Sequence, residues 1–164
     1  MNGNDAAMPA RGPHRYPVRV YYEDTDAGGV VYHAKYLHFM ERARAEALRD
    51  LGVPHTELIA QHGLGFVVRR AEIDYAAPAR LDDRLVVETT VRSLRSSTVL
   101  MRQSVLREDG GVGNRPLVVA DLHMTCVAQA PERPGGLRAA ALPPRWREAL
   151  LALVADEPAP QESV

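Results

Sequence analysis

Only one long segment of this chain repeats its apolar residues with the period of a helix. Over residues 32–51 the apolar positions lie three or four apart and form one stripe: Leu37, Met40, Ala43, Ala47, Leu48 and Leu51. Gly52 and Pro54 follow, and such residues typically end a helix. The sequence therefore predicts one long helix, and the rest of the fold has to be arranged around its single apolar face.

Strands are predicted on both sides of this helix. Period-two alternation and β-branched residues indicate five of them, at residues 17–22, 65–75, 84–94, 98–107 and 117–127. Short turns join the last strands, which therefore pair as antiparallel hairpins, and a short helix is predicted at residues 144–154. The pattern predicts an α+β fold in which a five-stranded antiparallel sheet wraps the long helix.

The face of the predicted sheet that points away from the helix is also partly apolar. It carries Val86, Leu100, Val119 and Val127. One helix covers only one face of a sheet, and exposed edge strands tend to pair with another chain. We therefore expect a partner subunit.

Length, charge and cysteine content exclude several classes of protein. A chain of 164 residues fits one domain, which we expect over residues 16–154, between flexible tails at 1–15 and 155–164. A net charge of -1 provides no basic field for nucleic acid or anionic lipid. The single cysteine, Cys126, excludes an internal disulfide and a thiolate zinc site.

Targeting signals are likewise missing from the sequence. No apolar run approaches the ~20 residues that cross a bilayer, so no membrane span is expected. The N-terminal segment lacks the apolar region of a signal peptide. We therefore expect a cytoplasmic location.

The segment from Tyr21 to Glu41 combines features that suit acyl transfer. It places Asp26 between a strand and a glycine-bearing turn, just before a helix N-terminus. Unpaired N–H groups at that helix end would stabilise the oxyanion that develops on a thioester carbonyl. Asp26 would then act either as general base on water or as nucleophile.

Other interpretations of this segment are less favourable. An Asp before a helix often serves only as a cap or dipole partner. A calcium loop starting at Asp24 would need glutamate at its twelfth position, where Lys35 stands. His33 and His38 are five apart rather than the four expected of a helical zinc pair, so no metal site is expected.

Residues 21–34 (YYEDTDAGGVVYHA) closely resemble the signature of the 4-hydroxybenzoyl-CoA thioesterase family of hotdog-fold proteins. Within that family, they look like the acyl-CoA thioesterase subgroup associated with the Tol–Pal envelope system. The likeness continues through residues 41–44 (ERAR), 66–69 (FVVR) and 75–83 (YAAPARLDD). It covers about residues 16–145.

The resemblance implies a hotdog fold and hydrolysis of an acyl-CoA to the free acid and coenzyme A, with no separate cofactor. It also implies a homodimer or a dimer of dimers, a homotetramer, with active sites between subunits. Asp26 matches the catalytic carboxylate, and the backbone N–H near His33 matches the oxyanion donor. The side chains of Tyr22 and His33 match positions near the site. Acyl preference, the choice between coenzyme A and acyl carrier protein, and the role of Asp26 as base or nucleophile stay open.

Arginines on the predicted strands are candidates for binding the phosphates of coenzyme A. They are Arg69, Arg70, Arg92 and Arg95. Guanidinium groups suit phosphate because their donors form a planar fork. Alternating polar positions of a strand would carry such residues in any case.

Two further functions are compatible with the sequence. One is an adaptor with little turnover that holds acyl carrier protein or an envelope-linked partner from the cytoplasmic side. The other is a hotdog dehydratase of 3-hydroxyacyl thioesters, which is disfavoured because such enzymes typically pair a His with an acidic residue from a longer motif.

Overall fold

The computed structural model describes residues 11–155, which form three helices and one antiparallel sheet. In chain order the elements are β1 (His14–Arg19), α1 (Lys35–Asp50), α2 (His55–His62), β2 (Leu64–Tyr75), β3 (Arg84–Leu94), β4 (Thr98–Arg107), β5 (Val118–Gln129), β6 (Leu137–Ala139) and α3 (Pro144–Leu151). One 3₁₀ turn, Tyr22–Asp24, lies between β1 and the loop that leads into α1.

The sheet has the strand order β1-β3-β4-β5-β2, and β6 pairs with the end of β5. Every pairing is antiparallel. The core between α1 and the sheet is formed by buried apolar side chains such as Phe39, Met40, Leu85, Val87 and Leu122. The predicted α+β arrangement of a long helix against an antiparallel sheet is confirmed.

The bounds of β3 and β4 agree with the prediction, and those of β2 and β5 differ from it by two residues or fewer. The predicted inner face of β5 is also confirmed: Val118, Ala120, Leu122, Met124 and Cys126 are all buried. On the opposite face, Val86 is buried outside the main core, whereas Leu100 is half-buried.

Helix α1 is shorter than predicted, because it begins at Lys35 rather than near Tyr32. The residues before it are held in an extended bridge, Thr25 to Val31, and in a following turn. The buried face of α1 also differs from the predicted stripe. Leu37 is exposed, since the aromatic rings of Tyr36 and Phe39 set the direction that faces the core.

The first strand lies earlier than the predicted residues 17–22. It begins at His14, two residues inside the predicted N-terminal tail, because residues from His14 to Arg19 pair with β3. Tyr22 belongs to the 3₁₀ turn, which the carboxylate of Asp24 closes by accepting the Tyr21 N–H at 2.8 Å. Of the predicted tails, residues 1–10 and 156–164 lie outside the described residues.

Two short elements were not predicted. Helix α2 follows Pro54 and ends at Gly63, whose φ of 62° is left-handed. Only Leu58 of this helix is buried, so no apolar period marks it, although a proline before and a glycine after are typical helix boundaries. Strand β6 makes the sheet six-stranded rather than five-stranded, and its three exposed residues are too few for a period.

Candidate active site

The loop between β1 and α1 carries Asp26, and its own hydrogen bonds hold it closed. The Asp26 N–H donates to the Val30 carbonyl at 2.9 Å, and the Gly29 N–H donates to the Asp26 carbonyl at 3.0 Å. Oδ1 of Asp26 accepts the Gly28 N–H at 2.8 Å. A Cβ at Gly28 would lie 3.1 Å from that oxygen, and Gly29 has φ of +76°. Both glycines thus allow the loop to fold around the carboxylate.

The carboxylate of Asp26 is exposed and lies on a surface depression of about 520 Å³. Tyr22 lines the same depression, so the structure brings these two predicted site residues together. Within residues 11–155, no Lys, Arg or His nitrogen lies within 4.0 Å of the Asp26 carboxylate. In the described part of the chain, the negative charge of Asp26 is therefore not neutralised by an ion pair.

The turn before α1 offers two backbone N–H groups. The Tyr32 N–H donates to the Asp24 carbonyl at 2.9 Å, and the Lys35 N–H donates to the Tyr32 carbonyl at 2.8 Å. The N–H groups of His33 and Ala34 have no acceptor among the residues that the structure describes. Unpaired N–H groups at a helix start carry the positive end of the helix dipole and suit a developing oxyanion.

The side chain of His33 lines a different depression from that of Asp26. This second depression has a volume of about 260 Å³ and mainly apolar walls, formed by Val31, Tyr36, Tyr75, Ala76, Ala77 and Pro78. The His33 ring lies 4.6 Å from that of Tyr32 and 6.4 Å from that of Tyr75. The predicted catalytic side chains are thus on one loop region but divided between two depressions.

Asp24 is a residue of this loop whose role the sequence did not reveal. Its side chain is buried, and it lies 3.3 Å from Nζ of Lys35. Together with its bond to the Tyr21 N–H, this contact ties the end of β1 to the start of α1. The available signal was the position of Asp24 three residues after Tyr21, typical of a capping interaction.

Two tyrosines connect the segment after β2 to the turn before α1, and sequence reasoning missed both. The hydroxyl of Tyr36 accepts the Ala79 N–H at 3.0 Å, and burial raises the pKa of this phenol above its usual value. The hydroxyl of Tyr75 donates to the His33 carbonyl at 2.9 Å. These contacts join residues 43 and 42 positions apart, so no local sequence pattern reports them.

Three of the four candidate arginines lie together. Arg69, Arg70 and Arg95 line one depression of about 580 Å³, whereas Arg92 is not part of its lining. Arg70 pairs with Glu72, but neither Arg69 nor Arg95 has a carboxylate within 4.0 Å in the described range. This depression therefore has guanidinium groups available for an anion.

The arginine depression lies far from Asp26 in the same chain. The Asp26 loop joins the sheet near the start of β3, where Val30 bridges to Arg80. Arg95 follows the other end of β3, about 35 Å away at roughly 3.3 Å per strand residue. Arg95 therefore lies at the opposite end of the sheet from the candidate catalytic carboxylate, whereas Arg69 and Arg70 lie in the middle of β2.

The thiol of Cys126 and the metal-ligating side chains of the described residues form no further candidate site. The Cys126 thiol is buried, and burial raises its pKa, as expected for a packing residue. Across residues 11–155, no cluster of three or more His, Cys, Asp and Glu side chains is arranged to hold a metal ion. In the same range, no helix has both the length and the apolar character needed to cross a membrane.

The sequence of this chain is similar to those of known thioesterases. The model of the thioesterase superfamily matches residues 28–114. An acyl-CoA thioester hydrolase, YbgC, from Escherichia coli O6:H1 is 43% identical over 123 residues, which are 75% of this chain and 88% of that protein. The chain belongs to the thioesterase superfamily. The acyl-CoA thioesterase YbgC of Haemophilus influenzae is 55% identical over 92 residues, 56% of this chain and 68% of that protein.

Solved structures of this superfamily share the fold. A probable thioesterase from Bartonella henselae has a TM-score of 0.70 and 36% sequence identity, and the match covers 80% of this chain and 100% of that one. The 4-hydroxybenzoyl-CoA thioesterase from Pseudomonas sp. strain CBS-3 has a TM-score of 0.74 at 22% identity, covering 85% of this chain and 99% of that one, and this likeness concerns the fold alone. The expected hotdog fold and family are confirmed.

Proposed function

We propose that this thioesterase-superfamily protein hydrolyses acyl-CoA thioesters to the free acid and coenzyme A. The observation that carries the proposal is the exposed carboxylate of Asp26, which forms no ion pair among residues 11–155, on the loop that ends in the N–H groups of His33 and Ala34, which have no acceptor in that range. The relatives named acyl-CoA thioesterase and acyl-CoA thioester hydrolase support the same substrate class.

In the proposed mechanism, the N–H groups before α1 bind the thioester oxygen. Negative charge grows on that oxygen as the carbonyl is attacked, and preorganised donors stabilise it more than they stabilise the ground state. Asp26 either removes a proton from the attacking water or attacks the carbonyl itself. The thiolate departs readily because its thiol pKa is only about 8.5. The side chains of Tyr22 and His33 would line the approach of the substrate.

The acyl group would occupy the depression beside His33. Its volume of about 260 Å³ and its walls of Val31, Tyr36, Tyr75 and Pro78 suit a short, medium-length or aromatic acyl group. We therefore propose short- or medium-chain or aryl acyl-CoA thioesters as the substrate class.

We propose that Arg69, Arg70 and Arg95 bind the phosphates of coenzyme A from a second copy of the chain. The distance between Arg95 and Asp26 within one chain disfavours a site built from one copy. Strand β2 is one of the two edge strands of the sheet, with β1 at the other edge, and within residues 11–155 its outer edge pairs with no strand. Antiparallel pairing of two β2 strands would place the Leu64 end of one against the Tyr75 end of the other, and would thereby bring the end of the sheet that carries Arg95 closer to the Asp26 loop of the other copy.

This assembly is a homodimer, and pairing of two homodimers would give a homotetramer. Sedimentation velocity at micromolar concentration checks the proposal. We expect the mass of two or four chains of 18.0 kDa. A monomer at all concentrations would contradict it.

The proposed activity is tested by assaying thiol release from a panel of acyl-CoA esters. The panel contains straight chains of increasing length and a benzoyl ester, and each acyl group is also supplied on acyl carrier protein and on pantetheine. We expect turnover of short, medium or aryl esters and lower activity on long chains. Absence of turnover on every carrier would refute the proposed activity and favour an adaptor instead.

Replacing Arg69 or Arg95 with alanine is expected to raise KM for acyl-CoA about fivefold to tenfold, with little change in kcat. Each substitution removes a charge that binds only the nucleotide part of the substrate, equally in the ground and transition states. KM for the matching acyl-pantetheine, which lacks the nucleotide, should not change. Arg92→Ala is the matched control, since Arg92 is exposed but lies outside the depression. An equal rise in KM for both thioesters would contradict phosphate binding.

We also propose a cytoplasmic site of action, where acyl-CoA thioesters are made, and a link to the Tol–Pal system from that side of the membrane. Support for the second point comes from the resemblance of residues 21–34 to that subgroup and from the similarity to proteins named YbgC. The link is tested by asking whether Tol–Pal proteins co-purify with the chain. A strain that lacks the Tol–Pal proteins is the negative control.

A further inference from the structure

We propose that Tyr75 is a positioning residue that holds the backbone donors of the oxyanion site in place. This inference rests on the proposed thioesterase activity. Its basis is the hydrogen bond that the Tyr75 hydroxyl donates to the His33 carbonyl at 2.9 Å, across 42 positions of sequence. The bond reaches from the end of β2 to the turn that opens α1.

The planarity of the peptide group gives this bond its effect. The His33 carbonyl and the Ala34 N–H belong to one rigid peptide unit, so a bond that orients the carbonyl also orients the N–H. The preceding peptide unit consists of the Tyr32 carbonyl and the His33 N–H. The Lys35 N–H donates to that carbonyl at 2.8 Å and so orients the unit. Both carbonyls are therefore held, while both N–H groups have no acceptor within residues 11–155.

A hydrogen bond to a carbonyl also polarises its peptide group. Electron density shifts toward the oxygen, and the N–H on the other side becomes a stronger donor. Tyr75 thus strengthens the Ala34 N–H as well as orienting it.

Tyr75 is itself fixed by its surroundings. The next two residues, Ala76 and Ala77, donate their N–H groups to the Leu117 carbonyl at 2.9 and 3.1 Å. The Tyr75 ring also packs edge-on against Tyr36, with 5.8 Å between the ring centres. The hydroxyl therefore acts from the end of a hydrogen-bonded strand of the sheet on the loop that has to keep its shape during catalysis.

The segment that follows Tyr75 adds two more bonds to the same region. The Val31 N–H donates to the Ala79 carbonyl at 2.9 Å, and the Ala79 N–H donates to Tyr36 Oη at 3.0 Å. These bonds keep the loop attached to the sheet when the Tyr75 hydroxyl is removed. Loss of that hydroxyl should then disturb the orientation of one peptide unit rather than unfold the loop.

The experiment compares wild type with Tyr75→Phe, which keeps the ring and removes only the hydroxyl. We expect kcat to fall about tenfold while KM changes less than twofold, because the lost interaction acts mainly in the transition state. Tyr16→Phe is the matched control, since the Tyr16 hydroxyl on β1 makes no hydrogen bond in the described range. The control should match wild type in both constants.

A second measurement follows the backbone directly. The ¹⁵N chemical shift of the Ala34 amide, measured by NMR, should differ between Tyr75→Phe and wild type, because its peptide unit loses the hydrogen bond at its carbonyl, while amides in the middle of α1 keep their wild-type shifts. An unchanged Ala34 amide or an unchanged kcat would overturn the proposal. A rise in KM with constant kcat would also overturn it, because it would indicate a role in substrate binding alone.

Failure of the proposed activity and failure of this inference give different results. If wild type hydrolyses no thioester, the activity is refuted, and the Ala34 chemical shift alone decides whether Tyr75 orders the peptide. If wild type is active and Asp26→Asn is not, but Tyr75→Phe equals wild type, only the positioning role is refuted.

Discussion

Replacing Asp26 with asparagine is expected to lower kcat for acyl-CoA hydrolysis by at least about 100-fold, the usual scale for a positioned base. Asparagine keeps the size of the side chain, and its amide oxygen can still accept the Gly28 N–H that Oδ1 of Asp26 accepts at 2.8 Å. The loop should therefore keep its shape while the charge is lost. Steady-state kinetics on the best acyl-CoA of the panel measure the effect.

Glu23→Gln is the matched control for this substitution. Glu23 is an exposed carboxylate three positions before Asp26, in the 3₁₀ turn, and the same neutralisation there should leave kcat within about twofold of wild type. Far-UV circular dichroism checks that both variants are folded. An Asp26→Asn enzyme with undiminished kcat would refute the proposed chemistry.

Two labelling outcomes then distinguish the roles left open for Asp26. Single turnover in ¹⁸O-labelled water puts the label in the acid product if Asp26 activates water; hydrolysis of an anhydride at the acyl carbon does the same, so mass spectrometry of the quenched reaction must also find no acylated Asp26. If Asp26 attacks the carbonyl, hydrolysis of the resulting anhydride at the enzyme carboxyl leaves label on Asp26, which mass spectrometry of the digested protein detects.

Replacing Gln103 with leucine is expected to lower the free energy of unfolding by about 3 kcal/mol. Gln103 is fully buried and links three partners: it accepts from Arg44 at 2.8 Å and donates to the Met40 carbonyl and to Thr89 Oγ1, both at 2.9 Å. Leucine leaves the buried guanidinium of Arg44 without this acceptor. Urea unfolding at one fixed protein concentration measures the loss.

The control for this prediction is Gln129→Leu, the same exchange at an exposed strand end, which should change stability by less than about 0.5 kcal/mol. The double variant Gln103→Leu with Arg44→Met removes both members of the buried pair. It should recover at least half of the lost stability, because an apolar pair leaves no unpaired charge. Equal loss in the single and double variants would show that packing, rather than the stranded charge, sets the cost.

Short-range patterns in the sequence were enough for most of the secondary structure. The helical period around Met40 and Ala43 predicted α1, and the alternation in β3, β4 and β5 predicted those strands, because both periods follow directly from backbone geometry. Residues 21–34 also predicted the family, since a turn of this kind needs particular small and acidic residues at fixed positions.

The tertiary structure decided which side chains meet. It separated Asp26 from His33 by placing them on different depressions, and it gathered Arg69, Arg70 and Arg95 while leaving Arg92 aside. Such contacts depend on how the strands pair across the sheet, and no local period records that pairing.

What the sequence determined by itself was therefore the fold class, the long helix and the loop that carries Asp26, because each follows from residues close together in the chain. What only the tertiary structure decided was the support of that loop by the Tyr75 hydroxyl on the His33 carbonyl, and the support of α1 by the buried Gln103. The first contact joins residues 42 positions apart and the second joins residues 63 positions apart. Both form only when the helix packs on the completed sheet.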